Sequence, residues 1–444
     1  MFQPAGIFGG TRFLLFPQSP LSGRPRPPET VTISTPPGRV GPGPEDDRVY
    51  MINPPGKRHP YGVREDASGR EILDLPPWRG DILRGVSPGP DGHFDHIPPG
   101  TPEFAEAHVF GATRFTMDVW ERYFGYPLTW HFARDFPRLE ALVLPSFDNA
   151  HVGYGFMEIG GHHHDDGTAE SYALNFDVIS HEFGHLIIYG TLGVPSRLSE
   201  AGEYFGFHES AADMVSILAA LNFETMVVDL LDETSGNLYS YNELNRFAEL
   251  SATDQVRLAS HSEKMWQFAD GWDDEHDLSR PLTGALFDTL VDVFQEILVE
   301  RGLIGRDLAD LSDQLEQHPE YDRIIQPRFD AAYRTRRQGF RQALVDTRDY
   351  MGVALAETWK RLSADDLDYA DVGDTLMAVD RALTGGRHRR EIASSFRWRG
   401  IGLVRAGPRL APPDESSHAF SSRTVTPDTV APAPDRRGAL APLA

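Results

Sequence analysis

The sequence has no cysteine among its 444 residues. That excludes disulfides, thiolate-held zinc, iron–sulfur clusters and a thiol nucleophile, so any metal must be held by His, Asp or Glu. Basic charge is also scarce. The chain has 42 Lys and Arg against 66 Asp and Glu, a net charge of −24, and its only lysines are Lys57, Lys264 and Lys360. A phosphate backbone or an anionic lipid surface needs a basic footprint, so neither nucleic acid nor membrane is expected as a partner. No apolar run reaches the roughly 18–20 residues that cross a bilayer. The apolar patch Phe13–Phe16 is bounded by Arg12 and Pro17. It lacks the basic start and longer apolar stretch of a secretory leader, so none is read. A cytoplasmic location is the default expectation, with a non-standard export route left open.

Proline is abundant but unevenly placed. Of the 34 prolines, 13 fall in residues 1–60. Such a segment has little apolar surface to set against its ordering entropy, so residues 1–48 are expected to be disordered. The Pro-rich stretch 403–444 is expected to be a disordered tail for the same reason. Between them, residues 49–190 read as a strand-bearing lobe and 191–402 as a mainly helical one, an α+β protein. Strands are expected at 48–52, 139–147 and 151–159, with a turn at Asp148 and Asn149. A helix is expected over 101–126, with Thr101 as N-cap and Pro102 at its first position. Further helices are expected at 175–190, stopped by Gly190, and at 208–222, 284–302 and 338–362.

The chemistry-bearing motif is His181-Glu182-Phe183-Gly184-His185. Residues at i and i+4 share one helical face, so both imidazoles can reach a single Zn²⁺. Glu182, beside the first of them, is placed to act as general base on water. A catalytic zinc also needs a third protein ligand and an open position. Glu209, on the next expected helix, is a candidate, and Asp213 lies four residues further along the same face. A carboxylate there can accept the second N–H of a liganding His and fix its tautomer. The run His162-His163-His164-Asp165-Asp166 is flanked by glycines and reads as a solvated loop.

These segments resemble the gluzincin metallopeptidases, thermolysin-like and fungalysin-like enzymes in particular. DVISHEFGHLIIYG is similar to their active-site helix, and LSEAGEYFGFHESAAD to the segment bearing their third ligand. FDNAHVGYGFMEIGG is similar to their edge strand, and residues 374–402 to their final helices. The resemblance covers about residues 101–402. It implies a two-lobed fold with a central zinc-binding helix. It implies one catalytic Zn²⁺ on His181, His185 and Glu209, with Glu182 as base and proton shuttle. It implies Asn149 and Ala150 as binders of substrate backbone. His276 is the expected oxyanion donor, from a loop leading into a helix, with His261 as second choice. The family's assisting Tyr has no obvious counterpart; Tyr204 is close in sequence but displaced. Asp177 matches a calcium-ligand position, but Ala220 stands where the partner acid belongs, so no calcium pair of the family type is expected. The expected function is zinc-dependent hydrolysis of a peptide or protein substrate. Two other readings stay open on the residues: a non-catalytic binding module, and a zinc hydrolase of a small or non-peptide substrate.

Overall fold

The computed structural model describes residues 9–20, 26–65, 69–163, 169–196, 203–240, 242, 244, 246–247, 257–258, 262–268, 275–316 and 318–403. His261, and the expected tail apart from Leu403, lie outside them. The described residues mix strands and helices in an α+β architecture. They divide into two compact units, one running to Gly193 and the other starting at Val194.

The first unit contains, in order, β1 (Arg12–Leu15), β2 (Glu29–Thr32), β3 (Val49–Ile52), β4 (Gly62–Glu65), β5 (Glu71–Asp74), α1 (Pro102–Phe124), β6 (Leu139–Val143), β7 (Ala150–Val152), β8 (Phe156–Ile159), β9 (Gly161–His163), β10 (Ala169–Ser171) and α2 (Phe176–Thr191). Its main sheet has the order β3-β6-β8-β7. The pairs β3–β6 and β6–β8 are parallel, and β7 runs antiparallel to β8 at the edge. A parallel pair needs a crossover, and α1 lies in the one between β3 and β6. Register places Met51, Ala141 and Met157 on one face. There the α1 hydroxyl of Thr113 donates to Met157 Sδ at 3.6 Å. On the other face, Ile52, Leu142 and Phe156 form a core cluster with Tyr61 and Leu144.

The expected strand over 151–159 is two strands. Gly155, at φ +94°, turns the chain between β7 and β8, where a Cβ would stand 2.6 Å from the Phe136 ring. The N-terminus of α1 forms as the sequence implies, with Thr101 Oγ1 accepting the Phe104 N–H at 3.2 Å.

Among the described residues of 1–48, the expected disorder gives way to a pair of strands. β1 and β2 pair antiparallel, from Arg12 opposite Thr32 to Leu15 opposite Glu29. Phe13, Leu15 and Ile33 are fully buried. Phe13 stacks on Phe94 with centroids 4.9 Å apart and tilts against Phe110 of α1 at 5.6 Å. Gly111 allows this approach, because a Cβ there would come within 3.0 Å of the Phe13 ring. Local composition pointed to disorder, and long-range packing on α1 overrides it.

The second unit is mainly helical: α3 (Tyr204–Ala220), α4 (Glu224–Thr234), α5 (Glu275–Glu300), α6 (Arg306–Leu315), α7 (Tyr321–Tyr333), α8 (Arg337–Trp359), α9 (Tyr369–Thr384) and α10 (Arg389–Trp398). α5 begins nine residues before its expected start and runs through Pro281. At its centre Arg399, beyond α10, reaches buried Asp288 at 2.7 and 2.8 Å. Burial pushes the Asp288 carboxyl up to about 6 even so. Gly284 leaves room for that guanidinium, since a Cβ would stand 2.5 Å from Arg399 Cζ.

His108 ties the N-terminal hairpin to the rest of the first unit. Its Nε2 accepts the Phe16 N–H at 3.0 Å, and burial pushes the imidazole down to about 4 from its ordinary 6.5. The unfolded chain therefore binds the extra proton first as pH falls. The part of the stability that depends on His108 is fully present above pH 6.5 and is lost toward pH 4, by roughly 3 kcal/mol in all. Urea titrations across this range should show the loss in the wild type and a flatter profile in His108→Gln, which keeps an acceptor that does not titrate there. Equal pH slopes in the two proteins would contradict the assignment.

Candidate metal centre

α2 starts at Asn175, whose side-chain oxygen accepts the N–H groups of Asp177 at 3.0 Å and Val178 at 3.3 Å. Asp177 adds negative charge to the first turn, where the helix dipole favours it. The expected stop at Gly190 falls one residue inside the helix, which ends at Thr191; Gly193 carries the positive φ. Phe176 packs edge-on against Phe115 of α1 at 6.1 Å, and Phe183 against Trp130 at 6.1 Å. These contacts fix the rotation of α2 about its axis.

With that rotation set, His181, Glu182 and His185 stand together. Their exposures are 4%, 8% and 3%. The two imidazole centroids are 4.8 Å apart with the rings perpendicular. Donor atoms of the three side chains all lie within 4.8 Å of one another. Two buried, convergent imidazoles are nitrogen donors suited to zinc or a similar divalent ion, and the Glu182 carboxylate stands beside them. The residues therefore fit the metal that the motif implies.

Glu209, Asp213 and His276 belong to the second unit. Glu209 and Asp213, one helical turn apart on α3, are each 1% exposed. Both face α5: His276 Nε2 lies 3.3 Å from Glu209 Oε2, and the Thr283 hydroxyl donates to Asp213 at 3.1 Å. His276 and Thr283, seven residues apart, share a helix face. His276 was expected in a loop, and the structure puts it in the first turn of α5. The sequence hid this because Pro281 reads as a helix boundary; it sits in the second turn of α5, where it forfeits one backbone bond and the helix continues through it. Tyr204 is fully buried at the start of α3, its ring 5.5 Å from that of His208.

Asn149 and Ala150 sit at the start of the edge strand β7. Asn149 Oδ1 accepts the Ala150 N–H at 2.8 Å, and the Asn149 carbonyl accepts the Gly160 N–H. The run expected to be a solvated loop opens as a strand: β9 pairs with β10, placing His162 opposite Glu170. His162 Nδ1 lies 3.2 Å from Asp148 Oδ1. His164, Asp165 and Asp166 lie outside the described residues. Sequence reasoning missed a buried cluster of Lys57, Glu158 and His151 in the first unit. Its one local signal is a glutamate in the middle of the apolar strand FMEI.

No family model and no curated protein matches this chain. Among solved structures, the chain is similar to the precursor of protealysin, a metalloproteinase from Serratia proteamaculans. The TM-score is 0.43 and the identity 12%, over 73% of this chain and 84% of that one.

The Asn175 cap holds the N-terminus of the metal-binding helix. Asn175→Ala leaves two N–H groups of that helix without their side-chain acceptor and should cost about 1 kcal/mol. Chemical denaturation measures this, and an unchanged midpoint would show that the cap is not what holds α2.

Proposed function

We propose that this protein is a zinc-dependent peptidase. The observation that carries the reading is the buried convergence of His181, Glu182 and His185 on one helix. We assign His181 and His185 as metal ligands and Glu209 as the third. Asp213 is the carboxylate we place behind a liganding imidazole. The short distance between Glu209 and His276, and their common position between α3 and α5, supports giving both a role in one site. When bound, zinc supplies Lewis acidity, polarising a peptide carbonyl and making water more acidic.

The chain's own groups do the rest. The Glu182 carboxylate takes a proton from the attacking water and returns it to the departing amine nitrogen. His276 Nε2 donates to the carbonyl oxygen as negative charge develops there. An extended substrate lies along β7 in the manner of an added strand. In the free protein the Ala150 N–H is held by Asn149 Oδ1. Substrate backbone competes for that donor, and the Asn149 side chain swings to meet it.

Glu182→Gln removes the base and leaves both imidazoles in place. It should lower peptide cleavage on the order of 10²–10⁴-fold while the zinc content stays at the wild-type level. Quenched-peptide kinetics with elemental analysis of the same samples measures both. Wild-type cleavage by the variant would overturn the mechanism.

A further inference from the structure

On the sheet face away from α1, a charge cluster lies outside the proposed chemistry. Lys57 follows β3, and its Nζ is 3.2 Å from Glu158 Oε1 on β8, with both side chains fully buried. The ammonium rests 3.4 Å from the Tyr61 ring centroid and 5.2 Å from that of Trp78. The other carboxylate oxygen, Oε2, accepts the Tyr61 N–H at 2.7 Å and lies 2.6 Å from His151 Nε2 on β7. Glu158 thus ties the segment after β3, its own strand and the edge strand together.

The register shows what is being tied. His151 stands directly opposite Glu158. Backbone bonds join Gly160 to Asn149 and Gly153 to Phe156. In an antiparallel ladder, alternate residues bond inward, so Asn149, His151 and Gly153 face β8. The N–H and C=O groups of Ala150 and Val152 therefore point to the other side, where the sheet order ends. β7 has only three residues, so its own ladder is short. A buried ion pair contributes little net stability after desolvation, and its best-attested use is to fix register.

We infer that His151 is a positioning residue for the peptidase reaction. Through Glu158, itself held by Lys57 and the Tyr61 N–H, it locks β7 in the register that presents Ala150 and Val152 to an extended substrate. This rests on the peptidase reading. It names the buried device that makes the edge a template.

The test compares His151→Phe, which removes the donor and keeps the ion pair, with His151→Gln, whose amide can donate to Glu158. For a peptide long enough to lie along β7, His151→Phe should raise KM about tenfold with kcat within about twofold, and His151→Gln should restore KM to near wild type. Hydrogen exchange of the Gly153 and Gly160 amides, which bond across the β7–β8 pair, should quicken in His151→Phe alone. If His151→Phe does not fold, Lys57→Met/Glu158→Leu removes the acceptor without stranding a buried charge and carries the same expectation. Wild-type KM and wild-type exchange in the donor- or acceptor-less variant would overturn the inference. If the wild type cleaves no peptide, the peptidase reading fails, and the exchange rates still decide whether His151 anchors the strand.

Discussion

Burying three ionisable side chains side by side on one helix is the constraint on which the rest of the first unit depends. Imidazoles and carboxylates leave water at a cost unless they are paired or bind a metal. His181, Glu182 and His185 are almost wholly buried. For them to converge, α2 must have a fixed start and a fixed rotation. Asn175 supplies the start, and the contacts of Phe176 and Phe183 supply the rotation. The sheet and α1 behind it form a rigid wall, which is what a preorganised donor set requires.

The second unit solves a similar problem with two helices. α3 carries Glu209 and Asp213 toward α5, which answers with His276 and Thr283. α5 is held at its centre by Arg399, whose guanidinium fits over Gly284 to reach Asp288. Removing either partner of that buried pair would leave an uncompensated charge, so the chain after α10 is firmly bound to α5.

How much of this is legible in the sequence follows from how local each signal is. The His-Glu-x-x-His pentad, the Thr101-Pro102 helix start and the strand after Arg138 are written in adjacent residues, and the structure has them. The N-terminal hairpin was hidden by its prolines, because what orders it is Gly111 and Phe110, about a hundred residues away. The extension of α5 was hidden by Pro281, which reads as a boundary although the helix runs on through it. Division of 151–159 into β7 and β8 depends on the positive φ of Gly155, which strand propensity does not register. The Lys57–Glu158–His151 cluster joins three stretches of chain, so no single window contains it.

The proposed function turns on whether the α2 donors hold a catalytic zinc. Its most direct measurement is metal content on purified wild type and His185→Ala, with a peptide-cleavage assay on the same samples. About one zinc per chain is expected in the wild type, with metal and cleavage lost together in the variant. A wild type that takes up no zinc after reconstitution, or a His185→Ala protein that keeps both metal and cleavage, would contradict it.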